Sequence, residues 1–279
     1  MKIGKIKLTA LCLTAILCLA GCGSSGDVQT FSEAANGYLY SSSDDSIPAD
    51  MAYKYDSSAF VLNDAGDMTY TDSSTWTYRN GIDVSSYSGS IDWDAVKNAG
   101  YEFAYLRIGY RGYESGEIKA DEMFDEYYSG ATAAGLDVGV YFYSQAISDE
   151  EAKEEAQFVL DTLGDREVQL PVTIDVEMAE AENARTANVS SDQYTDNVLA
   201  FSETISDAGL KTMIYTNLYG QTFMLNMHDL DGLSIWFSDF EATPNTEYTF
   251  DFWQYSNTGI VDGISGDVDL DIQMIPVSD

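Results

Sequence analysis

From residue 80 onward, short runs of β-branched and aromatic residues alternate with stretches whose apolar positions recur at helical spacing. The runs Ile82–Val84, Phe103–Ile108, Val138–Tyr143, Val172–Val176, Thr212–Tyr215, Ser234–Phe237, Phe252–Tyr255 and Val268–Ile272 predict eight strands. Helix starts are marked by caps. Asp92 precedes Trp93 and Val96, with a stop at Gly100. Ser148 with Glu151 opens a helix ending near Leu163-Gly164, and Ser190 with Gln193 opens one ending at Ala208-Gly209. Both serine spacings predict a capping box, in which the cap and the third helical residue bond each other's backbone. Strand, helix, strand in this order favours right-handed crossovers and a parallel sheet. Eight strands within roughly 200 residues predict an α/β barrel rather than an open sheet. Helical patterning thins after Gly220, so the last third is expected to be irregular.

The pattern before residue 80 is different. Phe60-Val61-Leu62 and Met68-Thr69-Tyr70 flank Asn63-Asp64-Ala65-Gly66, which predicts a small hairpin. Residues 53–79 therefore read as a pre-domain extension packing on a main domain at 80–279. Residues 22–52, rich in Ser, Asp and Gly, read as a flexible tether. At the start, Lys2, Lys5 and Lys7 precede an apolar stretch from Leu8 to Leu19. A bilayer span needs about 20 apolar residues, so this stretch suits a signal peptide instead. It closes on Leu19-Ala20-Gly21-Cys22, which resembles the lipobox of bacterial lipoproteins. That resemblance implies a signal peptide over residues 1–21 and a lipid on Cys22. The lipid would anchor the protein to the membrane, facing the extracytoplasmic side of the bacterial envelope.

Charge narrows the partners. There are 13 Lys+Arg against 47 Asp+Glu, a formal net charge of −34, and three of those bases sit in the leader. Nucleic acid and anionic surfaces are thereby excluded as electrostatic partners, because both require Lys and Arg. Of the 3 cysteines, Cys12 and Cys18 lie in the leader and Cys22 would carry the lipid. The rest of the chain must therefore be held by its core alone, without disulfides. His228 is the single histidine, which argues against a zinc site and against a serine-histidine triad.

The acidic residues supply the candidate chemistry. In a barrel of this kind, reactive groups gather at the C-terminal ends of the strands. Asp83 ends the first predicted strand, Asp175 and Glu177 end the fourth, and Asp269 lies in the last. On extended backbone, Asp175 and Glu177 point the same way, about 7 Å apart. Two carboxylates at one mouth do not both ionise freely, which is what glycosidic cleavage needs: one protonated acid and one ionised partner. Strand-end acids also serve as helix caps, and a carboxylate cluster is also the donor set of a Ca²⁺ or Mg²⁺ site.

Gly81-Ile82-Asp83-Val84-Ser85 and Gly89-Ser90-Ile91-Asp92-Trp93 resemble the opening of glycoside hydrolase family 25, the N-acetylmuramidase lysozymes. The likeness continues through 103–109, 133–141, Pro171 to Glu177, Ile214 to Asn217, Trp236, Trp253 to Ser256 and Val268 to Leu270. It implies an irregular TIM-like (β/α) barrel with fewer helices than strands. It also implies hydrolysis of the β-1,4 bond between N-acetylmuramic acid and N-acetylglucosamine in peptidoglycan, without a cofactor or metal and as a monomer. By position, Glu177 resembles the proton donor and Asp175 its partner, while Asp83 and Asp269 match the other acids of the site. Tyr141, Tyr143, Tyr215, Trp236 and Trp253 are candidates for stacking on sugar rings, against the alternative that strand aromatics are core. Two positions depart from the pattern: Phe142 stands where many relatives have His, and Asp271 where Asn is usual. The rival reading is a membrane-tethered glycan-binding protein that keeps the barrel but cleaves little.

Overall fold

The structure, a computed structural model, describes residues 47–179, 181 and 183–277. The leader, Cys22 and the tether up to residue 46 lie outside the described residues. Residues 47–52, expected to belong to the tether, are part of the folded body. Met51 is buried, and Ala52 bridges to Tyr248.

The elements follow in chain order. β1 (Phe60–Leu62) and β2 (Met68–Tyr70) form the hairpin, in antiparallel register with Phe60 opposite Tyr70. Asn63 organises its turn by accepting the backbone N–H groups of Ala65 and Asp67, and Gly66 follows at φ 92°. The barrel strands are β3 (Trp76–Val84), β4 (Phe103–Arg111), β6 (Asp137–Tyr143), β7 (Val172–Asp175), β8 (Thr212–Asn217), β9 (Ser234–Ser238), β10 (Phe252–Gly259) and β11 (Val268–Pro276). A short β5 (Ile118–Ala120) pairs with the outer end of β4. The helices are α1 (Trp93–Asn98), α2 (Phe124–Ala133), α3 (Asp149–Leu163) and α4 (Ser191–Asp207). Neighbouring strands from β3 to β10 pair parallel. β11 runs antiparallel to both β10 and β3 and closes the barrel. All eight predicted strands are present, and the expected α/β barrel with few helices is the observed architecture. After β8 only short helical turns occur among the described residues, as the patterning predicted.

Side chains alternate across the barrel wall, as strand geometry requires. Phe103, Tyr105, Met213, Tyr215, Trp236 and Phe252 fill the interior. Gly81 and Gly139 make room for two of them: a Cβ at either position would lie 2.3 Å from the Phe103 or Tyr105 ring. The intervening residues, among them Val140, Ile174, Ile214 and Phe237, face outward into a second core. Helices cover that outer face around β4 to β8. No α-helix follows β9 or β10, and there the N-terminal extension takes over. Phe60 packs edge-on against Trp253 at 5.2 Å, and Tyr55 lies 4.8 Å from both Phe250 and Trp76. The extension thus fills, with aromatic rings, the space a barrel helix would occupy.

The two capping boxes form only by half. Ser148 and Ser190 cap α3 and α4 through the N–H of Glu151 and Gln193. The Glu151 carboxylate instead accepts from Ile147 N–H and from Arg185, and the Gln193 amide donates to Asp149 and Asn197. Tertiary partners outcompete the reciprocal bond in both.

Candidate active site

Strand parity decides which side chains reach the mouth. Counting by twos from the interior aromatics gives Asp83 on β3, Tyr141 and Tyr143 on β6, Asp175 on β7, Tyr215 on β8, Trp236 and Ser238 on β9, and Gln254 on β10. β11 runs the opposite way, so its first residues lie at the mouth, and Asp269 pairs directly with Asp83 across the seam. Asp271 follows on the same face, one layer deeper.

One hydrogen-bonded chain ties these strands together. The Tyr215 hydroxyl and the Ser238 hydroxyl both donate to Gln254 Oε1, at 2.9 Å each. Gln254 Nε2 donates to Asp83 Oδ2 at 2.6 Å, and Trp236 Nε1 donates to Asp271 Oδ1 at 2.8 Å. Opposite lies Asp175, whose Oδ1 is buried without a donor. The extended path continues one residue past β7, since Val176 N–H donates to Tyr215 O at 3.1 Å. This keeps Glu177, which is only half-buried, on the same side as Asp175.

Burial sets the electrostatics. It pushes the Asp83 carboxyl well above the usual carboxylate range, and the charges of Asp269 and Asp271 add to the rise while the Gln254 bond opposes it. Asp175 is raised by burial and then by the charge of Glu177, with Arg107 opposing. Asp269 is pushed up to about 6 by burial. Tyr141 and Tyr215 are raised in the same way, with these carboxylates contributing. Asp175 therefore keeps a proton into the range where an ordinary carboxyl has lost it.

A second tier holds the rim. Arg107 donates to the buried Asp121 at 2.8 Å and lies under Tyr87, 5.0 Å from its ring. The segment after Glu177 is clamped by Arg185, which makes two 2.7 Å bonds to Glu151 and a third to Gln145 O at 2.9 Å. Beneath it, buried Glu155 accepts from Arg111 at 2.7 Å and from Ser144 at 2.6 Å. Burial pushes Glu155 up to about 7 against those bonds.

A model of the family described as glycosyl hydrolases family 25 matches residues 82–264. The chain belongs to glycosyl hydrolases family 25. Among curated family 25 relatives, the autolytic lysozyme of Clostridium acetobutylicum is 32% identical over 194 residues, covering 68% of this chain and 54% of the relative. Lysozyme M1 of Streptomyces globisporus is 29% identical over 198 residues, covering 68% of this chain and 65% of the relative. This chain thus spans only about half to two thirds of those relatives' lengths. A bacterial lysozyme from Streptomyces coelicolor superposes with a TM-score of 0.58 at 27% identity, over 69% of this chain and 90% of that one.

Against this family 25 frame, the structure brings Asp83, Asp175, Asp269 and the backbone of Glu177 to one mouth, together with Tyr141, Tyr143 and Tyr215. Trp236 lies below them, 1% exposed, with its ring 4.9 Å from Tyr215 and 6.0 Å from Tyr141. It is the floor of the site and offers no free face. Trp253 is elsewhere. It is fully buried on the outer side of β10 against Phe60, and its indole N–H is spent on Asp239 O at 2.8 Å, so the expectation that it stacks on sugar is corrected. Phe142 also faces outward, packed on Phe158 of α3, and takes no part in the mouth. Gln254, Ser238 and Arg107 escaped the sequence reading as site residues. Parity would have found the first two, because Gln254 is two residues from inward-facing Phe252 and Ser238 two from Trp236.

Proposed function

We propose that this protein hydrolyses the β-1,4 bond between N-acetylmuramic acid and N-acetylglucosamine in peptidoglycan glycan strands. The observation that carries the proposal is the convergence of acids from β3, β7 and β11 at the mouth of a family 25 barrel, with burial keeping protons on several of them. Glycosidic cleavage requires a protonated acid at the leaving oxygen and an ionised carboxylate near the anomeric centre. Glu177, the more exposed of the two, gives its proton to the leaving oxygen. Asp175, more deeply buried, orients the sugar and stabilises the positive charge that develops on it. Asp83 and Asp269 face the same sugar from the seam, and Tyr141, Tyr143 and Tyr215 flank it. In this reading Cys22 carries the lipid that holds the enzyme on the extracytoplasmic face of the membrane, within reach of the wall.

The test is digestion of purified peptidoglycan by the mature protein, followed by borohydride reduction and mass spectrometry. New reducing ends on N-acetylmuramic acid are expected. Ends on N-acetylglucosamine would reassign the bond, and no new ends would favour the glycan-binding reading. The same rate is expected after exhaustive EDTA treatment, because a bound cation would hold the acid ionised and occupy the sugar's place. A rate lost to EDTA and restored by Ca²⁺ or Mg²⁺ would overturn the roles given to all four carboxylates.

A further inference from the structure

Asp271 is fully buried and is not needed for the acid chemistry described above. Its Oδ1 accepts the Trp236 indole N–H at 2.8 Å, while its Oδ2 has no N–H or O–H donor. The Asp271 carboxyl lies within hydrogen-bonding reach of a second carboxyl, that of Asp83. The register explains the approach: Asp271 stands opposite Gly81, on the same face as the Asp83–Asp269 pair and one step below it. Asp83 likewise has one oxygen bonded to a neutral donor, Gln254 Nε2 at 2.6 Å. Each carboxyl thus has one neutral N–H donor, an indole for Asp271 and an amide for Asp83, and the other carboxyl within reach.

The inward-facing arginines of β3 and β4 are committed elsewhere, Arg79 to Gln273 and Asp137 and Arg107 to Asp121. The groups facing Asp271 are Asp83 on β3, Tyr105 on β4, Trp236 on β9, Gln254 and Tyr255 on β10, and Asp269 on its own strand. Among the described residues no lysine or arginine forms an ion pair with Asp83, Asp269 or Asp271. Two carboxylate oxygens in hydrogen-bonding contact repel unless a proton lies between them, and a buried pair without a cation cannot carry two charges.

We propose that Asp271 is a positioning residue, holding one proton in common with Asp83 and thereby fixing the Asp83 carboxylate at the mouth. The positioning role rests on the muramidase reading, whereas the shared proton does not. Burial raises both carboxyls well above their ordinary value, in agreement with the geometry. The sign of the linkage follows. An unfolded Asp titrates near 3.9, so stability contributed by the shared proton is full below about pH 4 and is lost as pH rises through the folded value. Asp271→Asn keeps the shape, can still accept from Trp236, and presents an N–H to Asp83 at every pH, so it is exempt from that loss. Asp271→Leu keeps the volume and gives Asp83 nothing.

Thermal and urea unfolding of the mature protein and of D271N, from pH 4 to pH 9, read the proton directly. The stability gap should widen in favour of D271N as pH rises, by at most about tenfold in the folding equilibrium constant per pH unit. D83N, which removes the other half of the pair, should widen it likewise. Steady-state kinetics on peptidoglycan read the positioning. D271L should lose about tenfold or more in kcat, D271N should recover most of that loss, and the ratio of D271N to wild-type kcat should rise with pH. A stability gap that stays flat for both D271N and D83N would overturn the shared proton. Equal kcat in D271L and D271N would overturn the positioning role. A wild type without activity would instead remove the muramidase reading, and the stability slopes alone would then decide whether the proton is shared.

Discussion

Glu177 and Trp253 show how differently single residues of one sequence motif can end up. Glu177 keeps to the mouth, half-buried beside Asp175. Glu177→Gln is expected to preserve the fold and reduce kcat by about 10²–10⁴-fold, as loss of a general acid does. Rates on peptidoglycan beside an unchanged circular dichroism spectrum check it. Trp253, three strands along the sheet, points out of the barrel. Trp253→Phe is therefore expected to leave KM unchanged and to cost about 1–3 kcal/mol of stability, through lost volume and the lost bond to Asp239 O. Tyr143→Ala, at the mouth, should raise KM with little effect on unfolding. The sequence showed the acids because their spacing follows the strand period. It misplaced Trp253 because aromatic identity says nothing about which face of a strand a residue occupies. Asp271 differs again: its partners come from β3 and β9, and no local pattern could have paired it with Asp83.

The barrel strands were legible because each carries a run of apolar residues buried on both faces. The ends were less so. β3 begins at Trp76 rather than Ile82, since its first half pairs with β11 while remaining half-exposed, and its sequence there is mixed. β5 and α2 left no readable trace. β5 is three residues, one of them lysine, and α2 starts behind Met123, which makes no side-chain cap. The hairpin was legible as a hairpin, yet its task depends on the absence of a helix elsewhere in the chain. Phe60 lies at the centre of that contact, 4% exposed, between Tyr55, Tyr70, Phe250 and Trp253. Phe60→Ala should cost about 3–5 kcal/mol, measured by urea denaturation, and leave kcat unchanged at temperatures where the variant is folded. A loss below 1 kcal/mol would mean that the extension is only an ornament on the barrel.

Over the whole molecule, the net charge of −34 bears on which surfaces the protein can approach. Anionic headgroups and anionic wall polymers repel such a surface, so proximity has to come from an attachment other than charge. Cys22→Ala is accordingly expected to move the protein from the membrane fraction to the soluble one, while its rate on dissolved glycan fragments stays the same. Persistent membrane association of that variant would mean that some other segment holds it.

The barrel is sealed by its first strand and its last, with Trp76 opposite Pro276 and Asp83 opposite Asp269. No growing chain can make that seam until β11 has been synthesised, however long β3 has been waiting. Asp83 and Asp269 sit on the two lips of the seam, so the catalytic mouth and the closure of the fold come into being in one event. A chain that lost β11 would lack Asp269 and leave the inner edge of β3 unpaired on that side. Placing two of the four candidate acids on the zipper makes the closed barrel the earliest form in which the whole acidic mouth exists.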